Sequence, residues 1–406
     1  MQTTAVRFAF DGCELDVQRL ELRRDGQGVA VEPQVFDVLV YLLRHRDRVV
    51  SKEELLDEVW GDRFVSESAL TSRIKAARRA IGDDGASQRI IRTLHGRGYR
   101  FVADVDELPP SGGATVEGAQ AHEQRPPQRV QLCTAADGVH LAYSVGGTGP
   151  TLVKAANWLS HLDYDWESPV WRHWWRELSA RYQLVRYDER GGGLSDWDVE
   201  DFSLEAWVAD LETVVDAAGL DRFVLLGISQ GGPVAMTYAA RHPERVRGLI
   251  LYGTFPRGRL MRATTAQEED EARMLVQLVR LGWGQDNSAF RRVFAMQFMP
   301  EGTQEQWEAF DELQRRSTSP RNAVRFVEAF SDIDVSEVVG RVAAPSLVIH
   351  CRGDVRIPVE GARRLAAQLP HSRFVILDSQ NHLLLEDEPA WPVFLAEVDA
   401  FIAELV

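Results

Sequence analysis

Apolar residues recur along this chain with two different rhythms. In "EPQVFDVLVYLLRHRD", Val35, Val38, Leu39, Leu42 and Leu43 share one helical face behind Pro33, a residue suited to a first helical turn. "SKEELLDEVWG" follows, with Ser51 and Glu54 spaced as a capping box and Gly61 as a stop. In "SESALTSRIKAARRAIG", Leu70, Ile74, Ala77 and Ile81 form an apolar face, Arg73, Lys75, Arg78 and Arg79 project elsewhere, and Gly82 ends the helix. "RIIRTLHGRGYRFVA" then switches to two β-rich runs hinged at Gly96-Arg97-Gly98, a hairpin pattern.

Residues 106–128, "DELPPSGGATVEGAQAHEQRPPQ", have no apolar period and read as a flexible linker. Beyond them, buried β-type runs such as "DRFVLLG", "RGLILYGTF" and "PSLVIH" alternate with helical segments. That alternation predicts an α/β fold with a doubly wound, mostly parallel sheet. Residues 256–339 interrupt it with helical runs such as "EDEARMLVQLVRLG" and "NAVRFVEAF", read as a cap. The expected organisation is therefore a first domain over 1–105, a linker over 106–128 and a second domain over 129–406 with its cap.

Charge separates the two domains. The chain of 406 residues has 46 Lys+Arg against 61 Asp+Glu, a formal net charge of -15. The first 105 residues carry 17 of each sign, so the whole acidic excess lies after them. This argues against nonspecific nucleic-acid binding by the molecule as a whole. Within the first domain, however, Arg73, Lys75, Arg78, Arg79, Arg89, Arg92, Arg97 and Arg100 face only Asp83 and Asp84 over the same stretch, a local basic patch. Cys13, Cys133 and Cys351 lack disulfide or metal spacing, and no metal or cofactor is expected. With neither a signal-peptide pattern nor an apolar run of about 18 residues, a cytoplasmic protein without membrane contact is expected.

Helix, helix, basic helix, hairpin is the order of a winged helix-turn-helix. The stretches "RVVSKEELLDEVWG", "IKAARRAIGDD" and "IRTLHGRGYRF" make the chain resemble the OmpR/PhoB-type effector domains from about Val31 to Val102. The resemblance implies a double-stranded DNA partner, with the helix from Glu67 to Ile81 in the major groove and the wing in the neighbouring minor groove. It puts Arg73, Lys75 and Arg78 on the helix against DNA, and Thr93, His95 and Arg97 on the wing. His95 stands where this family commonly carries arginine, with Arg97 two residues on. A homodimer is expected on palindromic or repeated half-sites. No receiver domain precedes the winged helix in this sequence, so input is expected from the C-terminal domain. A winged helix kept for protein contacts is the alternative.

"GISQGGP", residues 227–233, places Ser229 between an apolar strand and a helix, in the G-x-S-x-G turn that exposes a hydroxyl. An acid and a histidine follow in order: Asp354 in the loop after "PSLVIH", and His382 beyond "SRFVILD". With "YDERGGGLSD", these motifs make residues 130–406 resemble the α/β-hydrolase superfamily. The resemblance implies Ser229 as nucleophile, Asp354 as acid and His382 as base. It implies an oxyanion hole from the backbone N–H groups of Gln230 and Trp158, although "AANWLSHL" replaces the His-Gly often found there. The expected ligand is a small, largely apolar ester, amide or lactone. A pocket that senses a ligand without chemistry is the alternative.

Other residues have two readings. Trp171, Trp174 and Trp175 have core-facing helical spacing rather than that of an aromatic ligand box. His161 touches substrate or serves structure. Met274, Leu278, Phe294, Met296, Phe298 and Trp307 line an apolar pocket or pack the cap helices together.

Overall fold

The computed structural model describes residues 7–17, 21–24, 26–29, 31, 33–60, 67–83, 87–94, 97–108, 129–283 and 289–405. The chain divides into two compact units, Met1–His122 and Glu123–Val406.

In the first unit, strands β1 (Arg7–Phe10), β2 (Cys13–Asp16), β3 (Glu21–Arg24) and β4 (Gln27–Val29) precede helices α1 (Pro33–Arg44), α2 (Lys52–Trp60) and α3 (Glu67–Ala80). Strands β5 (Ile91–Leu94), β6 (Gly98–Phe101) and β7 (Asp106–Leu108) follow. The sheet runs β4-β3-β2-β1-β7, while β5 and β6 form a separate hairpin. Sequence periodicity did not reveal this N-terminal sheet, because strands of three or four residues are too short for alternation to stand out. One local signal was present. Asp11 and Gly12, with φ of 39° and 77°, make the two-residue Asp-Gly turn between β1 and β2.

The expected helical faces meet in one core. Val38, Leu39, Leu42 and Leu43 of α1 pack with Leu70, Ile74 and Ala77 of α3 and with Phe8 and Phe10 of β1. The capping box of α2 is half made: Ser51 Oγ accepts from the Glu54 amide at 3.0 Å, but the Glu54 carboxylate is held by Tyr41 and Arg48. At Gly98, φ is +127° and a Cβ would lie 2.0 Å from the Val50 carbonyl oxygen, so the close pairing of Val50 with Tyr99 requires glycine. The expected linker begins later than 106, since Asp106–Leu108 pairs with β1. Residues 109–128 lie outside the described residues.

The second unit contains β8 (Val130–Thr134), β9 (His140–Gly146), β10 (Thr151–Lys154), β11 (Gln183–Tyr187), β12 (Phe223–Ile228), β13 (Val246–Tyr252), β14 (Ser346–Cys351) and β15 (Ser372–Leu377). Their order is β15-β14-β13-β12-β10-β11-β9-β8, parallel from β15 to β11 and antiparallel at the β9 and β8 edge. Every residue of β12 and β14 is buried, as expected for central parallel strands covered on both faces. Helices Ala266–Gly282, Ala289–Phe298, Gln304–Ser317 and Pro320–Ser331 lie between β13 and β14. Two of them start at capping boxes, Thr265 with Glu268 and Thr303 with Gln306, and a third at Ser319 before Pro320. Among the described residues, no helix is long and apolar enough to cross a membrane.

Candidate functional site

Loops at the carboxyl ends of β10, β12, β14 and β15 converge, the edge where doubly wound sheets place their ligands. Ser229 follows β12 immediately and has φ of 51°, a left-handed conformation that a serine adopts only under constraint. The turn is held from both sides: the Ser229 amide donates to Tyr252 O at 3.0 Å, and its carbonyl accepts from the Gly232 amide at 3.1 Å and from Thr254 Oγ1. Gly231 is needed because a Cβ there would come within 2.7 Å of the Ala156 carbonyl oxygen on the facing loop.

The structure brings Ser229, His382 and Asp354 into one chain of contacts. His382 Nε2 lies 3.0 Å from Ser229 Oγ, and His382 Nδ1 lies 2.7 Å from Asp354 Oδ2. The other carboxylate oxygen, Asp354 Oδ1, accepts from the amides of Arg356 and Ile357 at 2.8 and 3.0 Å. Burial pushes the Asp354 carboxyl up, but the charge and hydrogen bond of His382, with the help of His350 and the Ile357 amide, hold it below the usual range. All three side chains are buried, and Phe298 of the cap packs edge-on against the His382 ring at 5.3 Å.

The oxyanion loop differs from expectation in one respect. The Trp158 N–H donates to Gln230 Oε1 at 3.1 Å, so in this state a side chain already occupies it. Gln230 Nε2 donates in turn to Glu189 Oε1 at 2.9 Å. Burial holds the Glu189 carboxyl up at about 8. The backbone N–H of Gln230 makes no hydrogen bond among the described residues. Sequence reasoning missed this Glu189–Gln230–Trp158 arrangement, although Glu189 sits within the quoted "YDERGGGLSD".

Beside Ser229 lies a small cavity of about 30 Å³, lined on its apolar side by Trp158, Phe255, Leu275, Phe298 and Phe330. Three arginines, Arg259, Arg262 and Arg356, also line it, which departs from the largely apolar pocket expected. Of the expected lining residues, Phe298 is present, whereas Met274 and Met296 are 66% and 50% exposed and face solvent. Phe294 packs against the Trp158 ring. The His161 ring accepts from the Tyr164 amide and caps a short helix. Trp171, Trp174 and Trp175 are core residues, and Trp174 Nε1 donates to Leu384 O at 3.1 Å, bracing the segment just past His382.

In the first unit, Lys75 and Arg97 are exposed, and Arg73 and Thr93 are half-buried. Arg78 requires correction. It is only 8% exposed, and its guanidinium donates to Ile91 O at 2.7 Å and to Thr93 Oγ1 at 2.9 Å, tying α3 to β5 instead of projecting toward DNA. The reason is position: Arg78 follows Ile74 by four residues and adjoins Ala77, so it lies at the margin of the apolar stripe, over the hairpin. Asp83 completes the tie by accepting from the amides of Arg89, Ile90 and Ile91. His95 lies outside the described residues.

Fold and site together define a hydrolase-fold domain following a regulator domain. Residues 161–389, more than half of the chain, match the family described as alpha/beta hydrolase fold, and the chain belongs to that family. Residues 26–101 match the family described as Transcriptional regulatory protein, C terminal, so an OmpR/PhoB-type regulator domain is fused to it. The N-terminal region is 41% identical over 104 residues to the transcriptional regulator HilA of Salmonella typhi, covering 26% of this chain and 18% of that protein. This chain thus spans less than a fifth of the length of that regulator. Its second domain is similar to the pyrrolizixenacetamide deacetylase of Xenorhabdus hominickii, at 27% identity over 254 residues, 61% of this chain and 90% of the deacetylase. An esterase from Exiguobacterium antarcticum has the same fold, with a TM-score of 0.57 and 21% identity over 67% of this chain and 98% of the esterase.

Proposed function

We propose that this chain is a transcriptional regulator, acting in the cytoplasm, that binds double-stranded DNA through its first domain and hydrolyses a small ester, amide or lactone in its second. The observation that carries the reading is the continuous path from Asp354 through His382 to Ser229, buried yet opening on a cavity. A serine hydroxyl is a weak nucleophile until a base takes its proton. His382 Nε2 is placed to do so as Oγ bonds to the carbonyl carbon, and Asp354 holds the ring with Nδ1–H toward it and stabilises the imidazolium. The proton then passes to the leaving oxygen or nitrogen. Water, activated by the same His382, next attacks the acyl carbon and frees Ser229.

The developing oxyanion lies against the backbone N–H of Gln230, at the start of the helix Gly231–Arg241, where the helix dipole favours negative charge. A substrate oxygen reaches the Trp158 N–H only by displacing Gln230 Oε1. That engaged donor is the observation that favours the second reading, a pocket that binds ligand without turnover. DNA contact is assigned to Arg73 and Lys75 on α3 and to Thr93 and Arg97 on the hairpin, with a homodimer spanning two half-sites.

The test is the intact mass after treatment with a fluorophosphonate probe. Wild type is expected to gain one adduct, and Ser229→Ala and His382→Ala to gain none. An unlabelled, folded wild type overturns the hydrolytic reading in favour of sensing.

A further inference from the structure

The wall facing Ser229 carries more positive charge than the triad chemistry needs. Arg259 and Arg262 lie one turn apart on the short helix Arg259–Arg262, which follows β13, and Arg356 lies two residues beyond Asp354. Two of these guanidiniums meet at the backbone of the third residue: Arg259 Nη2 and Arg262 Nη2 both donate to the Arg356 carbonyl oxygen, at 3.4 and 3.2 Å, and all three residues line the cavity beside Ser229. The Arg356 guanidinium lies 4.2 Å from the centroid of the Phe298 ring, the same ring that packs on His382, and its Nη1 donates to Gln297 at 3.0 Å. Arg356 is 8% exposed.

Among the described residues, none of these three guanidiniums forms an ion pair with a carboxylate. The acids nearby are committed elsewhere. Asp354 is used by His382 and by two amides, Glu268 accepts from the amides of Thr264 and Thr265, and Glu271 accepts from Gln267. Each guanidinium has five N–H donors, and among the described residues each makes one hydrogen bond. Like charges gathered in a partly dry wall oppose folding unless an anion joins them. Burial, with the neighbouring Arg259, pulls Arg356 down to about 9 and Arg262 to about 10, and the opposing pull of Asp354 on both, and of Glu268 on Arg262, does not offset it. All three also line a cleft of about 730 Å³ that shares Phe255 and Ile357 with the cavity at Ser229. Glu268 and Glu271 line the outer cleft too, together with Arg257 and Arg364, whereas the cavity at Ser229 is lined by the three arginines and no carboxylate, so the arginines run from the cleft to the nucleophile.

Resting on the hydrolytic reading above, we infer that the substrate is an ester, amide or lactone bearing a carboxylate or phosphate, which Arg259, Arg262 and Arg356 hold while Ser229 faces the carbonyl. The planar guanidinium fork suits either anion. In the reaction Oγ bonds to the acyl carbon, the ester oxygen leaves with the proton from His382, and the anionic group takes no covalent part.

The experiment compares three chromogenic esters on the full chain: mono-4-nitrophenyl glutarate, 4-nitrophenyl valerate and 4-nitrophenyl 3-phosphonopropionate. Enzyme-free rates are subtracted, because the half-ester's carboxylate assists its own hydrolysis. Wild type is expected to favour an anionic ester over valerate by about tenfold or more in kcat/KM. Arg259→Gln and Arg262→Gln should each reduce that preference by about tenfold, mainly through KM. A higher rate on phosphonate assigns phosphate, and a higher rate on glutarate assigns carboxylate. Preference for valerate, or parallel losses on charged and neutral esters, overturns the inference. If Ser229 is not labelled by fluorophosphonate and no ester is cleaved, the hydrolytic reading fails by itself. Calorimetry with glutarate and with inorganic phosphate then decides the anion site: binding lost in Arg262→Gln supports it, and no binding to wild type overturns it.

Discussion

Glu189 illustrates how one buried side chain can organise a site without touching the reacting atoms. Its Oε1 receives the Gln230 carboxamide, which in turn covers the Trp158 N–H, while Lys154, Asp210 and Arg190 act on it electrostatically. Burial raises its pKa from 4.5 to about 8, so the folded chain keeps a proton that the unfolded chain releases. Stability from this group is therefore lost as pH rises from about 4.5 toward 8. Lys154, pulled down to about 8 by burial, acts in the opposite sense and only above that pH. Asp165, raised to about 7 by burial, adds a fall that ends earlier. Glu189→Gln should consequently flatten the decline of melting temperature between pH 5 and pH 8. Parallel profiles for variant and wild type would show that Glu189 titrates normally.

At the scale of elements, α3 does two jobs with residues three positions apart. Arg78 points inward to the Ile91 carbonyl and Thr93, and Lys75 points to solvent. Charge-assisted hydrogen bonds to a buried acceptor contribute about 1.5–3 kcal/mol each, and leaving the acceptor unpaired adds to the loss. Arg78→Ala should thus destabilise the first domain by about 2–4 kcal/mol in chemical denaturation. Lys75→Ala should leave stability within about 0.5 kcal/mol. It should lower DNA affinity and reduce the slope of log K against log salt by about 1. Equal effects of the two substitutions on stability would contradict the inward placement of Arg78. The basic residues of this helix were legible in the sequence; which of them turned inward was not, because Arg78 sits at the margin of the apolar stripe and only the packed hairpin supplies its acceptors.

For the whole molecule, the division of charge matters more than its total. The acidic excess of the second domain opposes contact with DNA, so the proposed recognition falls to the exposed cations of the first. In the proposed homodimer, two linked copies would raise the effective concentration of the second winged helix once the first has bound. On a duplex with two half-sites about 10–10.5 base pairs apart centre to centre, removal of one half-site should weaken binding by more than about tenfold in a gel-shift titration. A loss of about twofold, as for independent monomers, would count against the homodimer.

The sequence by itself determined the helices of the first domain, the alternating architecture of the second and the chain order of Ser229, Asp354 and His382, because periodicity and short motifs act over a few residues. It left the N-terminal sheet unseen, since strands this short owe their pairing to Asp11-Gly12 and to the helices that cover them. The distances from His382 to Ser229 and Asp354 arise only when loops from three strands meet. The same is true of the Gln230 side chain on Trp158 and of the arginines on the pocket wall. Arg262 and Arg356 are 94 residues apart in the chain, yet the Arg262 guanidinium donates to the Arg356 carbonyl oxygen. No local pattern encodes that meeting; the parallel sheet does, by bringing the ends of β13 and β14 side by side.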